Sequence, residues 1–162
     1  MKNISIIIPV YNEEDSIIDL IYEIENDLKN TLIYEIIIVN DGSTDSTIDK
    51  LSKFKFKNLK IINNKNNLGQ SKSIFNGVSN SNYNTIVTID GDGQNIPKDI
   101  LKLSEMFFKH QNVKLVSGIR VKRKDKLIKL ISSKIANIIR NFILKDNCKD
   151  TGCSLKIFDK KI

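Results

Sequence analysis

Short apolar runs alternate with amphipathic segments along most of this chain. Residues 4–9, 34–39 and 85–89 are rich in β-branched side chains, and runs this apolar are typical of strands covered on both faces, as in a parallel sheet. Weaker strand signals lie at residues 59–62 and 113–117. The pattern therefore predicts five strands.

Four amphipathic segments separate these strands. Apolar side chains recur every three or four residues over 14–28, 46–54, 68–78 and 97–108, which is the spacing of one helix face. The alternation predicts a single α/β domain with a mostly parallel sheet, helices on both faces and right-handed crossovers. Ligands of such folds bind at the carboxyl ends of the strands.

The character of the chain changes after Gly118. Residues 120–134 contain seven basic side chains and one acid, Asp125, while apolar positions keep helical spacing as far as Phe142. This pattern predicts an amphipathic helix with a basic beginning. Residues 150–156 then read as a loop that enters a strand just before the sequence stops, so we expect the domain to be truncated at its C-terminus.

Composition describes a soluble protein with an anionic partner. The 162 residues carry a formal charge of +7, with 40% hydrophobic and 28% charged residues. That apolar content is enough for a core, and the positive charge suits nucleic acid, phosphorylated small molecules or an acidic membrane surface. Nucleic acid is disfavoured because the basic segment has no interleaved aromatic residues and no recognition motif.

Neither a zinc site nor a membrane span is indicated. Cys148 and Cys153 lack the spacing of a zinc knuckle and His110 is the only histidine, which predicts reduced thiols in a cytoplasmic protein. The apolar run at residues 4–10 is far shorter than the roughly 20 residues that cross a bilayer. We therefore expect neither a transmembrane helix nor a signal peptide.

Two aspartates, Asp90 and Asp92, directly follow the fourth predicted strand. Mg²⁺ and Mn²⁺ prefer oxygen ligands, and magnesium commonly takes one or two carboxylates while substrate phosphates and water complete its shell. Gly91 and Gly93 allow a ligand to approach closely, and Gln94 adds an oxygen. The motif indicates a divalent-metal site that faces a diphosphate; the alternative interpretation is a solvated turn.

Other carboxylate and nucleotide sites fit the sequence poorly. An EF-hand calcium loop starting at Asp90 needs an acidic residue at its twelfth position, which is Leu101. An aspartyl-phosphate phosphatase would carry its paired aspartates on the first strand rather than the fourth. A dinucleotide-binding turn needs spaced glycines after the first strand, and residues 9–14 contain none.

The turns after the first two strands carry further candidates. Tyr11 offers an aromatic face for a base, Glu13 a carboxylate for ribose hydroxyls, and Asp41 an acceptor for a base N–H group. Asn67 and Gly69 begin the third predicted helix, where free backbone N–H groups are able to face a nucleotide. Each position has a structural alternative, since proline ends strands and acidic or small polar residues cap helices.

Taken together, these motifs resemble a known family. Family 2 glycosyltransferases, which have the Rossmann-like GT-A fold, are matched in order by residues 7–13, 39–45, 67–77 and 90–97. Within that family, the dolichyl- or polyprenyl-phosphate sugar transferases are resembled by residues 118–120, 132–137 and 150–156. The resemblance covers nearly the whole chain.

The resemblance implies a role for each candidate residue. Those that would line the base and ribose of the nucleotide, or lie nearby, are Pro9, Tyr11, Glu13, Val39, Asp41, Asn67, Gly69 and Gly91. Those that would hold Mg²⁺ or Mn²⁺ against the diphosphate of a GDP- or UDP-sugar are Asp90, Asp92 and Gln94. Those that would receive a lipid phosphate are Arg120, Lys129 and Ser133, with lysine where arginine is commoner. The implied catalytic residues are Asp92, Arg120 and Asp150, the last of which would orient Arg120 or Lys129.

The implied activity is inverting, metal-dependent transfer of a single sugar to a polyprenyl phosphate, dolichyl or undecaprenyl, at the cytoplasmic face of the membrane. The basic segment would hold a peripheral protein to the anionic membrane surface. Residues 1–95 would form the nucleotide-sugar and metal half, and residues 96–162 an incomplete acceptor half. Two alternatives stay open: transfer to a glycan hydroxyl in polysaccharide synthesis, and a nucleotide-sugar-binding fragment without turnover.

Overall fold

The structure, a computed structural model, describes residues 2–110, 112–119, 150 and 152–162. The strands in these residues are β1 (Asn3–Val10), β2 (Ile33–Asn40), β3 (Leu59–Asn63), β4 (Thr85–Thr88), β5 (Leu115–Ser117) and β6 (Lys156–Asp159). The helices are α1 (Ile17–Leu28), α2 (Thr47–Lys53), α3 (Gln70–Ser79) and α4 (Asp99–Lys109). None of these helices is long and apolar enough to cross a bilayer.

The strands form one sheet in the order β3-β2-β1-β4-β6-β5. Parallel pairing joins β3 to β2, β2 to β1 and β1 to β4, which confirms the predicted parallel core. The last strand, β6, pairs antiparallel with both β4 and β5. The sequence predicted a strand beginning near Lys156 but not its position inside the sheet.

Helices cover both faces of the sheet, as predicted. Alternate residues of β1 point to opposite faces, so that Ile6 and Ile8 join a core with α1, α2 and α4. Ile7 joins a smaller core on the other face, beneath Val78 of α3. Because β1 is covered on both faces, it carries an unbroken run of isoleucines rather than an alternating pattern.

Helix α3 packs very closely on the centre of the sheet, and Gly77 is the reason. A Cβ atom added at Gly77 would lie 2.4 Å from Cγ2 of Ile7 and 3.1 Å from Cγ2 of Val39. Both of those side chains are fully buried and have no room to move aside. The glycine thus fixes α3 against β1 and β2, and with it the position of the loop that precedes the helix.

All four helices begin one to three residues later than the periodicity predicts, and the cause is visible at α1 and α4. Helix α1 begins at Ile17 because residues 14–16 form a turn, closed where the backbone N–H of Ile17 donates to the carbonyl of Glu13 (3.1 Å). Helix α4 begins at Asp99, after a turn in which the N–H of Asp99 donates to the carbonyl of Ile96 (3.0 Å). Both delays shorten a helix by one turn or less without changing the face that it buries.

Candidate functional site

A cavity of about 230 Å³ opens where the carboxyl ends of β1, β2 and β4 meet. Polar residues reach it from the turn after each strand and from the beginning of α3. Its lining consists of Pro9, Val10, Tyr11, Glu13, Asp41, Asn67, Gly69, Gln70, Asp90, Gly91 and Asp92. This is the edge of a parallel sheet at which ligands of α/β folds bind.

The structure gathers most of the predicted nucleotide and metal residues around this one cavity. Val39 and Gln94 are the exceptions. The Val39 side chain is fully buried in the core beneath α3. Gln94 lies outside the lining, although its backbone N–H donates to Oδ1 of Asp92 (3.0 Å). The roles of all these residues in binding stay predictions, because position alone does not establish contact with a ligand.

Asp41 is the most deeply held carboxylate of the cavity, with only 4% of its surface exposed. Its Oδ1 accepts from the backbone N–H of Leu68 (3.0 Å) and from Nδ2 of Asn64 (2.7 Å), and its Oδ2 accepts from the N–H of Gly69 (2.8 Å). The N–H groups of Leu68 and Gly69, which the sequence left available to a nucleotide, are therefore engaged by Asp41.

These donors keep Asp41 ionised. Burial by itself raises the pKa of this carboxyl, but the hydrogen bonds from Leu68, Asn64, Ser73 and Gly69 together outweigh burial and hold the pKa below its ordinary value. Asn64 extends the network to α3, since its Oδ1 accepts from Nδ2 of Asn76 (2.9 Å). Asp41 thus fixes the loop before α3 to the end of β2.

The turn that carries the two candidate metal ligands packs directly on the end of β1. A Cβ atom at Gly91 would lie 2.7 Å from Cγ1 of Val10, and the Ser16 hydroxyl donates to the Gly91 carbonyl (2.7 Å). The sequence suggested that the absence of a side chain at Gly91 allows a ligand to approach closely. In the structure it also allows the end of β1 to pack against this turn. Asp92 lies on the exposed side of the same turn.

Glu13 lies beside this turn, and its pKa is raised. Burial is the main cause, a hydrogen bond from Ser16 (3.0 Å) opposes it, and the nearby carboxylates of Asp92, Asp45 and Asp90 add to it. Three neighbouring carboxylates therefore disfavour a further negative charge. The cavity floor is acidic, which suits a cation better than it suits a bare phosphate.

The turns after β1 and β2 are tied to one another. Asn12, whose φ is 57°, accepts the N–H of Thr44 at its Oδ1 (2.8 Å) and donates its own N–H to the Ser43 hydroxyl (3.0 Å). Asp45 accepts the N–H of Thr47 (2.9 Å) at the beginning of α2. These bonds hold Tyr11 and Asp41 in a fixed arrangement.

The donor set suits Mg²⁺ or Mn²⁺ bound together with a phosphate group. Asp90 and Asp92 line the same cavity, yet in the part of the chain that the structure describes no three carboxylate, imidazole or thiol groups cluster as a metal cage. Magnesium commonly takes one or two carboxylates and completes its octahedron with phosphate oxygens and water. The residues present therefore fit a cation shared between protein and substrate.

A second cavity, of about 420 Å³, adjoins the first at Pro9, Gln70 and Asp90. Its other walls come from α3, from the end of β4 and from the segment that leads into β6, including Ser71, Thr88, Cys153, Ser154 and Lys156. The Thr88 hydroxyl donates to the Ser154 carbonyl (2.7 Å), and Nδ2 of Asn95 donates to the Ser154 hydroxyl (2.9 Å). These contacts join the segment before β6 to the residues on either side of the turn that carries Asp90 and Asp92.

The predicted acceptor residues are described only in part. Arg120, Lys129 and Ser133, together with the rest of the basic segment, lie outside the described residues. Asp150 is buried, with 3% of its surface exposed, and accepts the N–H of Gly152 (3.2 Å) just before the second cavity's wall. The proposed action of Asp150 on Arg120 or Lys129 stays a prediction.

A third cavity, of about 430 Å³, is no candidate for this chemistry. It is lined by aromatic, aliphatic and lysine side chains of residues 54–57 with Leu59 and Ile61. Residues 54–57 precede β3, so this cavity lies toward the amino ends of the strands, opposite the polar turns. It has no carboxylate in its lining.

Comparison with known proteins identifies the family. The sequence model described as glycosyl transferase family 2 matches residues 5–162. The chain belongs to this family. Among curated relatives of this family 2 chain, the dodecaprenyl-phosphate galacturonate synthase of Rhizobium johnstonii is 34% identical over 98% of the chain and 48% of the relative. The undecaprenyl-phosphate 4-deoxy-4-formamido-L-arabinose transferase of Pectobacterium atrosepticum is 32% identical over 100% of the chain and 50% of the relative.

Solved structures of glycosyltransferases share the fold. Glucosyl-3-phosphoglycerate synthase from Mycobacterium tuberculosis, in complex with Mn²⁺, UDP and phosphoglyceric acid, superposes with a TM-score of 0.77 at 18% identity, over 99% of this chain and 56% of that one. TarS residues 1–349 from S. aureus give 0.65 at 24% identity, over 99% and 47%. The GT-A fold predicted from the sequence is thus confirmed. This family 2 chain spans about half the length of the curated relatives it matches.

Sequence reasoning missed three residues that organise the site. Asn64 and Ser16 hold the loops that carry Asp41 and Gly91, and Gln70 contacts Asp90. Each acts across 20 or more residues of chain, as in the Gln70 to Asp90 hydrogen bond. Only the resemblance of residues 67–77 to the family motifs drew attention to the neighbourhood of Gln70.

Proposed function

We propose that this domain transfers one sugar from a GDP- or UDP-sugar to a polyprenyl phosphate, with inversion and with Mg²⁺ or Mn²⁺ as cofactor. The observation that carries the proposal is that Tyr11 and Asp41, suited to a base and ribose, share one cavity with Asp90 and Asp92, suited to a metal and diphosphate. The names of the curated relatives support polyprenyl phosphate as the acceptor.

The nucleotide-sugar would lie across the cavity, with its base near the end of β2 and its diphosphate near the end of β4. Tyr11 exposes 45% of its surface there, enough to pack against a base. Four hydrogen-bond donors hold the Asp41 carboxylate rigid, and this fixes the loop before α3 that forms one end of the cavity. At the far side Asp90 and Asp92, with Gln94, would hold the cation, which when bound neutralises charge on the departing diphosphate.

The acceptor chemistry favours a phosphate over a hydroxyl. A phosphate monoester has its second pKa near roughly 6 and arrives ionised, so it needs no protein base. Its oxygen would attack the anomeric carbon as the bond from that carbon to the diphosphate breaks, and the nucleoside diphosphate departs with the electron pair. Asp90 is the one carboxylate in the described lining of the second cavity, and the proposal assigns it to the metal.

The acceptor would approach through the second cavity, which adjoins the first at Asp90. Arg120, Lys129 and Ser133 would receive its phosphate, and Asp150 would orient Arg120 or Lys129. These four assignments rest on the family resemblance. The reaction would take place at the inner, cytoplasmic face of the membrane, with this domain as a peripheral partner of the anionic surface.

Transfer itself gives the direct test, together with metal removal. With Mn²⁺, the chain is expected to move labelled sugar from one member of a GDP- and UDP-sugar panel to undecaprenyl phosphate in detergent. EDTA should abolish the transfer, and excess Mn²⁺ should restore it, because without a cation the carboxylates of Asp90 and Asp92 repel the diphosphate. Transfer to a glycan hydroxyl with none to the lipid would favour the polysaccharide alternative. Donor binding without any transfer would favour a binding fragment.

Membrane attachment is tested by sedimentation with vesicles. Each lysine or arginine near an anionic leaflet contributes on the order of 1 kcal/mol, so three or four of the seven in residues 120–134 would suffice for attachment. The chain is expected to sediment with phosphatidylglycerol vesicles at low salt and to be released at high salt, while neutral vesicles leave it in solution. Failure to bind anionic vesicles at low salt would contradict the membrane role.

A further inference from the structure

Gln70 lies at the border between the two cavities. It is the first residue of α3 and, with Pro9 and Asp90, it lines both of them. Its Nε2 donates to Oδ1 of Asp90 across 2.7 Å. The proposed function gives Gln70 no role, although it contacts one of the two carboxylates on which the proposed metal site depends.

The backbone of Gln70 is held in place from two sides. Behind it, Gly77 packs α3 against Ile7 and Val39 with no space to spare. Before it, the N–H of Gly69 donates to Asp41 (2.8 Å). A side chain that projects from so fixed a point can hold its hydrogen-bond partner in a fixed direction as well.

The chemistry of the contact suits a carboxylate that must also bind a cation. An amide N–H donates to one oxygen of Asp90 without bringing a charge of its own. Lysine or arginine in this position would add a positive charge and compete with the cation. A hydrogen bond from a neutral donor fixes the carboxylate without that cost, as do the outer partners of metal ligands in general.

We infer that Gln70 is a positioning residue, which holds the Asp90 carboxylate in the orientation that binds the divalent cation. The inference rests on the proposed function, since it concerns the same metal site. It differs from a direct role for Gln70 on the diphosphate, because a positioning residue acts only through Asp90. The two roles predict different results in the absence of metal.

The test measures Mn²⁺ binding in the presence of UDP by electron paramagnetic resonance, and metal-free UDP binding by calorimetry. Loss of an outer partner typically weakens metal binding about 10- to 100-fold, and because this contact is exposed we expect the lower end, about 10-fold, for Gln70→Ala. Metal-free UDP affinity and the melting temperature should not change. Gln70→Asn, one methylene shorter, should behave like Gln70→Ala. Asn112→Ala, which removes an exposed side-chain amide before β5, is the control and should leave Mn²⁺ affinity unchanged.

A double-mutant cycle separates positioning from other effects. In an Asp90→Asn background, adding Gln70→Ala should cause no further loss of Mn²⁺ affinity, because the partner through which Gln70 acts is already impaired. Unchanged Mn²⁺ affinity in Gln70→Ala, or an equal loss in both backgrounds, would overturn the inference while leaving the proposed function intact. A wild-type chain that binds no Mn²⁺ with UDP would instead overturn the proposed function itself.

Discussion

Asp92→Ala is expected to abolish metal-dependent binding of the nucleotide-sugar while the fold stays intact. Asp92 is exposed, and the described contact of its side chain is local, with the N–H of Gln94 (3.0 Å). Its loss therefore removes little from the folded state, whereas it halves the carboxylate charge available to the cation. Losing a direct ligand should weaken Mn²⁺-dependent donor binding by at least about 100-fold.

Calorimetry of UDP or GDP with and without Mn²⁺ measures this effect, and circular dichroism checks the fold. Asp99→Ala is a suitable control, because Asp99 is also an aspartate close to the same turn but makes an ion pair with Lys102 (2.7 Å) on α4. That variant should retain the metal effect. Full metal-dependent binding in Asp92→Ala would contradict the assignment of this residue as a ligand.

Asp41→Ala is expected to destabilise the protein strongly, quite apart from any effect on binding. The substitution removes the buried acceptor of the N–H groups of Leu68 and Gly69 and of the Asn64 amide. Leu68 and Gly69 are exposed, and two of these donors keep a second acceptor, Oδ1 of Asn67 for Gly69 (3.2 Å) and Oγ of Ser73 for Asn64 (3.0 Å). A hydrogen bond to a charged group contributes about 1.5–3 kcal/mol, so with this compensation the free energy of unfolding should fall by about 2 kcal/mol. Urea denaturation measures the change, and exposed Asp15→Ala should change it by less than about 0.5 kcal/mol.

The contribution of Asp41 to stability should also depend on pH. The pKa of Asp41 is lower in the folded chain than in the unfolded chain, so the ionised carboxylate stabilises the fold above the unfolded value of about 3.9. This contribution is lost as the pH falls through the folded pKa. The stability difference between wild type and Asp41→Asn should therefore be constant near neutral pH and shrink below about pH 4. A difference independent of pH would indicate that the charge is unimportant.

The parallel core could be predicted because its signals are local. Each of the runs around Ile6, Ile37 and Val87 is apolar enough to be recognised alone, and the helices between them show their buried faces by spacing. The shared carboxyl edge then follows from the topology. The sequence therefore predicted correctly that the turns carrying Glu13, Asp41 and Asp90 lie at the same edge of the sheet.

The position of β6 could not be predicted in the same way. Lys156–Asp159 has four residues with only Ile157 fully buried, too few to display a period. Its neighbours, β4 and β5, lie about 70 and 40 residues earlier in the chain. Pairing between segments so far apart depends on tertiary packing rather than on local preference.

The finer arrangement of the site was also hidden from the sequence. Asp41 was expected to meet a base, but nothing local indicated that Asn64, Leu68 and Gly69 would hold it. Gln70 looked like an ordinary helix beginning, since its partner Asp90 lies 20 residues away. A motif reveals which chemical groups are near the ligand, whereas hydrogen bonds between motifs become visible only in three dimensions.

The late position of β6 in the chain has a consequence for folding during synthesis. A ribosome delivers β1 to β4 first, and until Lys156–Asp159 emerge β4 has one unpaired edge and β5 has no described partner strand. Because β6 pairs with both, β5 is joined to β4 only when β6 arrives. An exposed strand edge invites wrong pairing with other chains. A nascent chain that stalls before residue 156 is thus exposed to aggregation through β4, even when the turns after β1, β2 and β4 are already made.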